Sequence, residues 1–343
     1  MNHPAHVHFF KNFIWEMEKR GHEFFISSRD KEIALHLLES YGFKYFNRGA
    51  GYSGLLGKGL GMLEMDAKLY RVAKKFNPDL FLGLHNTYIA HLGKLLRKPS
   101  ITFTDTEHAR LASLLTMPFT DAICTPSCFT KDFGKKHVRY NGYHELAYLH
   151  PNYFTPDPTV FDDLEISKNE PFFIVRFVSW GASHDVGEKG ISLAGKRKLV
   201  DLLSDHGKVY ITSEENLPKE FEQFRLPVPP ERIHDLLAYA NLYFGESPTM
   251  TTESSVLGTP AICVNSWACR CGNFIDLKKH MLLNCFHPSE FPAAITCVEE
   301  LLSRVNLKGV WNKRRENLLK GKIDVTGWMI EYIQDYLERS VYS

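Results

Sequence analysis

Gly245 to Val264 joins an anion-ready backbone to a carboxylate. Leu242-Tyr243-Phe244 reads as a short strand and the stretch after Ser247 as a short helix. Ser247, Thr249 and Thr251, with Met250 among them, are mostly small hydroxyl residues at the helix start. Such a start offers backbone N–H groups and the positive end of the helix dipole to an anion. Gly258 stops the helix and Pro260 keeps it from resuming. Glu253, expected in the first turn, would reach a sugar hydroxyl beside that anion. A diphosphate joined to ribose satisfies both groups. The plainer alternative is an acid that only complements the dipole.

Other residues could share that chemistry. Arg176 ends an apolar run, 172–177, and a guanidinium there would neutralise a leaving diphosphate. The loop that follows, Ser179 to Asp185, is either a cleft-facing segment or plain surface, and Gly187 to Gly190 would let it flex. His3, His6 and His8 lie close together. An imidazole near neutral pH suits a general base taking a proton from an acceptor hydroxyl. Structural histidines at a helix start, or a metal site, are the alternatives. Asp105, Glu107 and His108 follow a predicted strand end, where open α/β sheets place ligand contacts. They would position acceptor or sugar, or else form a salt bridge with Arg110. His144 and Glu145 either line a cleft or lock a turn. Cys124/Cys128 and Cys269/Cys271 lack metal-ligand spacing, so no metal is expected.

The elements that must position these groups alternate. Phe9–Arg20 has the periodicity of an amphipathic helix. Residues 1–8 read as the loop after a first strand, and that strand is expected in about six residues ahead of Met1. Strands are expected near 23–27, 43–46, 80–84, 101–104 and 122–125. Helices are expected over 32–41, 62–76 and 87–96. Residues 49–61, with six glycines in 13, read as a long loop. Three prolines over 151–158 mark a linker. A second set follows: strands at 172–177 and 208–212, helices over 192–204, 233–240, 288–304 and 311–319, and a closing helix over 327–339. Alternation of this kind predicts parallel sheets with helices on both faces.

The chain has 343 residues, enough for two domains of ordinary size. A net charge of +1 gives no electrostatic case for nucleic acid. No apolar run reaches the roughly 18 residues of a membrane span. A cytoplasmic location is the expectation, with all seven cysteines as free thiols.

With these motifs in view, the chain resembles the GT-B fold and, over essentially its full length, the DUF354 family, common in archaea. Asn2 to Asn12 and Gly142-Tyr143-His144-Glu145 carry the family resemblance. The related proteins are UDP-N-acetylglucosamine 2-epimerases and the UDP-N-acetylglucosamine transferases of lipid II synthesis. The resemblance implies two Rossmann-like domains whose parallel sheets face a central cleft. Residues 1–150 would be the acceptor domain and 151–326 the nucleotide-sugar domain, with 327–343 a helix packing back toward the first. It places His6 where the transferases carry a Gly-His histidine. Ser247, Thr249, Met250, Thr251 and Glu253 stand where the relatives hold diphosphate and ribose, with Pro248-Thr249 replacing their glycines. Gly83 to Thr87 is similar to the epimerases' Gly-Asp-Thr segment, with Asn86 in place of the acid, and an amide cannot abstract a proton. The implied activity is metal-independent transfer from a nucleotide diphosphate sugar, UDP-linked, with no cofactor and an unidentified acceptor. A lipid acceptor with peripheral membrane contact fits the relatives. Epimerisation, hydrolysis or non-catalytic nucleotide-sugar binding are the alternatives.

Overall fold

The computed structural model describes residues 1, 3–49, 55–178, 190–213 and 215–341. It divides into two compact units, Met1–Tyr153 with Ile323–Ser343, and Phe154–Lys322.

The first unit opens on α1 (Pro4–Glu18). His3 is the N-cap, its Nδ1 accepting the Ala5 N–H at 3.2 Å, and Pro4 begins the helix. Proline is tolerated there because the first-turn N–H has no intrahelical partner. This corrects the expected loop over residues 1–8: His6 and His8 lie within α1. There follow β1 (Ile26–Ser28), α2 (Glu32–Ser40), β2 (Tyr45–Asn47), α3 (Leu55–Phe76), β3 (Phe81–Leu84), α4 (Thr87–Leu96), β4 (Ser100–Phe103), α5 (Arg110–Thr116), β5 (Ala122–Pro126), β6 (His137–Tyr140) and α6 (Leu146–Leu149). The expected loop over 49–61 is helical from Leu55 onward. Strands β3 to β6 form one parallel sheet in sequential order, and β1 and β2 a separate parallel pair. The buried Phe9 of α1 packs its ring 5.2 Å from Phe103 of β4.

The second unit contains α7 (Val160–Asp163), β7 (Phe172–Phe177), α8 (Leu193–Ser204), β8 (Lys208–Ser213), α9 (Ile233–Tyr239), β9 (Leu242–Gly245), α10 (Pro248–Leu257), β10 (Ala261–Val264), α11 (Gly272–Lys279), β11 (Leu283–Phe286), α12 (Phe291–Leu302) and α13 (Leu307–Lys320). Its five strands are parallel, in the order β11-β10-β9-β7-β8. The chain winds outward in one direction from β7 to β8, and in the other through β9. That reversal between β7 and β9 is the topological switch point, where open α/β sheets bind ligands beyond the strands' carboxyl ends. The apolar strand residues Ile174, Val175, Phe244, Ile262 and Cys263 are fully buried, as a sheet covered on both faces requires. The chain then returns to the first unit as α14 (Val325–Val341), which packs on α1 and α6. Thr326 Oγ1 donates to Ala147 O at 2.7 Å.

The cysteine expectation needs one correction. Cys269 and Cys285 are joined in a disulfide across 16 residues, because the turn before α11 brings their Cα atoms to 5.6 Å of one another. The other five are free thiols. Among the described residues no group of three or more His, Cys, Asp or Glu could hold a metal ion. No described helix is long and apolar enough to cross a membrane.

Gly258 ends α10 in the left-handed conformation (φ +81°), and its N–H returns to the carbonyls of Ser254 and Ser255. A Cβ there would stand 2.7 Å from Asn312 Oδ1 and 3.0 Å from Arg315 Cδ. Gly258→Ala therefore adds backbone strain to overpacking, and we expect urea denaturation to show a loss of about 1–3 kcal/mol. Unchanged stability would mean that α13 gives way at no cost.

Candidate functional site

At the switch point Arg176 of β7 and Gly245 of β9 are register partners. The glycine is required: a Cβ would meet Tyr243 Oη at 2.3 Å and Arg176 Cβ at 2.9 Å. Arg176 is half-buried and donates from Nη1 to Thr212 Oγ1 at 2.9 Å. Immediately beyond β9 the chain enters α10. Ser247 caps it, Oγ accepting the Met250 N–H at 3.5 Å, and Pro248 is the first helical residue. Pro248 removes one first-turn donor. The Thr249 N–H and hydroxyl follow it at the helix tip, half-buried. The hydroxyls turn inward: Thr251 Oγ1 donates to Ser247 O at 2.8 Å, and Thr252, Ser254 and Ser255 each donate to the carbonyl four residues back.

Glu253 is not in the first turn of α10, which holds no acid. The helix begins at Pro248, so Glu253 falls in the second turn, buried, with Oε1 3.1 Å from Nε2 of the equally buried His234 on α9. Sequence reasoning missed His234, whose signal is a histidine heading the apolar stretch Leu236–Ala238. It also missed Lys196, which occupies a core-facing position on α8 with Leu199, Val200 and Leu203. Its Nζ lies 3.8 Å from buried Glu246 and 4.8 Å from the Phe177 ring centroid. Burial pushes the Lys196 amine down, and Glu246 pulls it partly back. The Ser179–Asp185 loop and residues 187–189 fall outside the described residues; Gly190 lies within them, exposed.

In the first unit His8 parts from His3 and His6, whose ring centroids lie 6.2 Å apart. His3 caps α1. His8 is buried, stacked on Tyr148 with ring centroids 5.4 Å apart. His6 is half-buried, and its pKa is held well below the usual histidine value, first by burial and then by the Met1 amine, His3, His144 and Arg48. His144 is buried, with Nδ1 3.4 Å from Asp105 Oδ2 and, among the described residues, no hydrogen-bond partner at Nε2. Burial lowers the His144 pKa and Asp105 opposes that shift. His6 and His144 are therefore neutral near pH 7. His85 sits just beyond β3 at φ +41°, its Nδ1 2.9 Å from Thr104 Oγ1, with Asp105 among the charges acting on it. Positive φ at a non-glycine residue stores strain, a feature that clusters at functional sites. Glu107 braces a loop instead, Oε1 accepting from the Thr130 N–H (3.1 Å) and hydroxyl (3.2 Å). Asn86 caps α4, with Oδ1 accepting the Tyr88 N–H at 3.1 Å.

The family model described as "Protein of unknown function (DUF354)" matches residues 1–338. The chain belongs to this family. One relative of the DUF354 chain is the uncharacterized protein MJ0665 of Methanocaldococcus jannaschii, 24% identical over 316 residues, spanning 89% of this chain and 91% of that one. Among solved structures, Acinetobacter baumannii MurG aligns at TM-score 0.59 and 15% identity, covering 96% of each chain. S. aureus MnaA, solved with UDP, aligns at 0.67 and 10%, covering 98% of this chain and 95% of that one. The UDP-GlcNAc 2-epimerase of Methanocaldococcus jannaschii aligns at 0.63 and 13%, covering 98% of both. At these identities the likeness shows the fold: this DUF354 protein has the α/β, GT-B fold of glycosyltransferases and nucleotide-sugar epimerases.

The Asp105–His144 contact has a signed consequence in the DUF354 chain. Asp105 raises the pKa that burial lowers, so Asp105→Asn must lower the His144 midpoint further. An NMR titration of the His144 ring protons measures it; an unmoved or raised midpoint would mean the two groups do not interact.

Proposed function

We propose that this chain transfers a sugar from a nucleotide diphosphate sugar, with UDP as the first nucleotide to test, to an acceptor hydroxyl without a metal ion. The observation that supports it most is the switch point. There Arg176 and the capped start of α10 share the carboxyl edge of one parallel sheet, on a fold common to UDP-sugar enzymes. On this reading the diphosphate lies at the α10 tip, Thr249 N–H and the dipole facing it, with Ser247 and Met250 shaping the turn. Arg176 offsets the charge that develops as the sugar–phosphate bond breaks. Glu253, held in direction by His234, accepts from ribose hydroxyls. Thr251 supports the turn through its bond to Ser247 O.

His6 takes the acceptor's proton as its oxygen bonds to the anomeric carbon and the diphosphate departs with the bonding pair. A neutral imidazole is required for that step, and the lowered pKa keeps His6 neutral. Asp105 holds His144 beside it, and Glu107 supports the same strand-end loop. The acceptor is unassigned, and a lipid at a membrane surface is among those to test.

Epimerisation is the second reading, favoured by the likeness to the UDP-GlcNAc 2-epimerase of Methanocaldococcus jannaschii. Against it, Asn86 holds the place of an acid and its side chain is committed to capping α4. Incubation with UDP-N-acetylglucosamine alone separates the two. UDP released only with acceptor present supports transfer, UDP released without it supports hydrolysis, and a sugar epimer still joined to UDP supports epimerisation.

His6→Ala should lower turnover by about 10²- to 10⁴-fold and leave nucleotide binding intact. Saturating UDP, at about 100 times Kd, should stabilise the chain by about 2.7 kcal/mol, and Glu253→Ala should abolish most of that shift. Unchanged turnover in His6→Ala would sink the base assignment. A full shift in Glu253→Ala would remove the ribose contact, and no shift with any nucleoside diphosphate would remove the donor.

A further inference from the structure

The second sheet has a polar cavity at its amino edge, opposite the switch point. About 560 Å³ in volume, it lies where Asn241 precedes β9 and Phe172 begins β7. Phe161, Phe172 and Leu257 give it apolar wall. α13 lines another side with Lys308, Asn312 and Arg315, which are spaced four and three residues apart and so share one helical face.

The polar atoms there are mostly donors. Lys308 Nζ donates to Ala240 O at 3.0 Å and to Thr259 Oγ1, whose own proton goes to Leu237 O. An ammonium carries three protons, so one of Lys308's remains. Arg315 Nε donates to Val256 O at 2.7 Å, which leaves the four Nη protons without an acceptor among the described residues. Asn241 Oδ1 accepts the Phe172 N–H at 3.0 Å, so its amide nitrogen is left to donate.

Charge points the same way. Ala240 O and Val256 O belong to the last turns of α9 and α10, and a helix end carries roughly half a negative charge. Two full cations outweigh two such ends. Of the acids lining the cavity, Glu170 lies 4.0 Å from Lys208, and Glu316 is exposed and opposes the burial that lowers the Arg315 pKa. Neither forms an ion pair with Lys308 or Arg315. Lys168, also on the cavity, adds a third cation, and Tyr239 is the remaining titratable group there.

We propose that this cavity binds a tetrahedral oxyanion, free phosphate or the phosphoryl group of a small molecule, between Lys308, Asn312 and Arg315. The apolar wall beside them suits the body of an organic phosphate. The site stands apart from the donor pocket and does not rest on the transfer reading. Burial, then Arg315, push the Lys308 amine down to about 7, and a bound anion pushes it back up. The ammonium is the form that holds the anion, so binding is strongest below that value and weakens as pH rises through it.

Sulfate tests this, because its charge is constant from about pH 6 to 9 while the lysine titrates. An NMR titration at fixed ionic strength should show saturable shifts at the backbone amides of Lys308, Asn312 and Arg315 and at the side-chain amide of Asn241. Lys308→Gln and Asn312→Asp should each weaken binding by about tenfold or more. Asn312 is exposed, so its variant keeps the test open if Lys308→Gln fails to fold. Affinity should fall as pH is raised across that range, and Lys308→Gln should lose the dependence. Glycerol 3-phosphate binding more tightly than inorganic phosphate would assign the site to an organic phosphate, and equal binding to the free ion. No saturable shift, or binding that Asn312→Asp leaves unchanged, would overturn the proposal. So would shifts at Arg176 and Thr249 instead, which would put the ion at the switch point.

Discussion

One buried carboxylate organises the carboxyl edge of the second sheet. Glu246, next after β9, uses every polar atom it has. Its N–H donates to Arg176 O at 3.0 Å, and its carbonyl accepts from Asn265 Nδ2 at 3.1 Å, so β7, β9 and the turn after β10 are tied through one residue. Its carboxylate accepts the N–H groups of Val178 and Ile191, each at 2.9 Å, with Lys196 at 3.8 Å. An unpaired carboxylate here would cost several kcal/mol to bury. Paired, it clamps both ends of the stretch from Val178 to Ile191 to the strand that delivers Arg176. Gly190 is part of the same constraint, since a Cβ there would stand 2.7 Å from Glu246 Oε1.

The sheets were legible because parallel strands are buried on both faces and read as apolar runs. β7 and α4 match their expected bounds, and β9 and α10 fall where the motif placed them. The elements missed are short or mixed. β11 carries Asn284 in four residues at the sheet edge, and β6 carries His137 and Arg139. Neither has a period long enough to declare itself. α3 begins through Gly57, Gly59 and Gly61, against their intrinsic preference. The start of α1 did carry a signal, a capping side chain followed by proline, but apolar periodicity sets in only at Val7 and drew the boundary too late. The disulfide was invisible because its partners meet only once α11 and β11 are folded.

The candidate site was legible as a set of residue types, not as a geometry. Sequence placed Asp105 at a strand end but could not pair it with His144, which is 39 positions away and meets it only through the β4–β6 sheet. Three histidines in six residues looked like one cluster. In the structure His8 turns to stack on Tyr148, while the rings of His3 and His6 stay 6.2 Å apart and His144 acts on His6. His234 and Lys196 were hidden for a related reason: a charged or polar residue on an apolar helical face signals itself only when its buried partner is known.

α10 shows how the same residues serve packing and chemistry together. Thr251, Thr252, Ser254 and Ser255 are fully buried, so the hydroxyl-rich helix is a core element between β10, α9, α11 and α13. Serine and threonine can fill such a helix because each hydroxyl bonds the carbonyl one turn back. Those bonds leave no side-chain donors along the body of the helix for a ligand. Whatever an anion finds at α10 must come from its tip, where the half-buried Thr249 hydroxyl joins the backbone, and from Arg176 across the switch point. The proline at the first position narrows that offer by one backbone N–H.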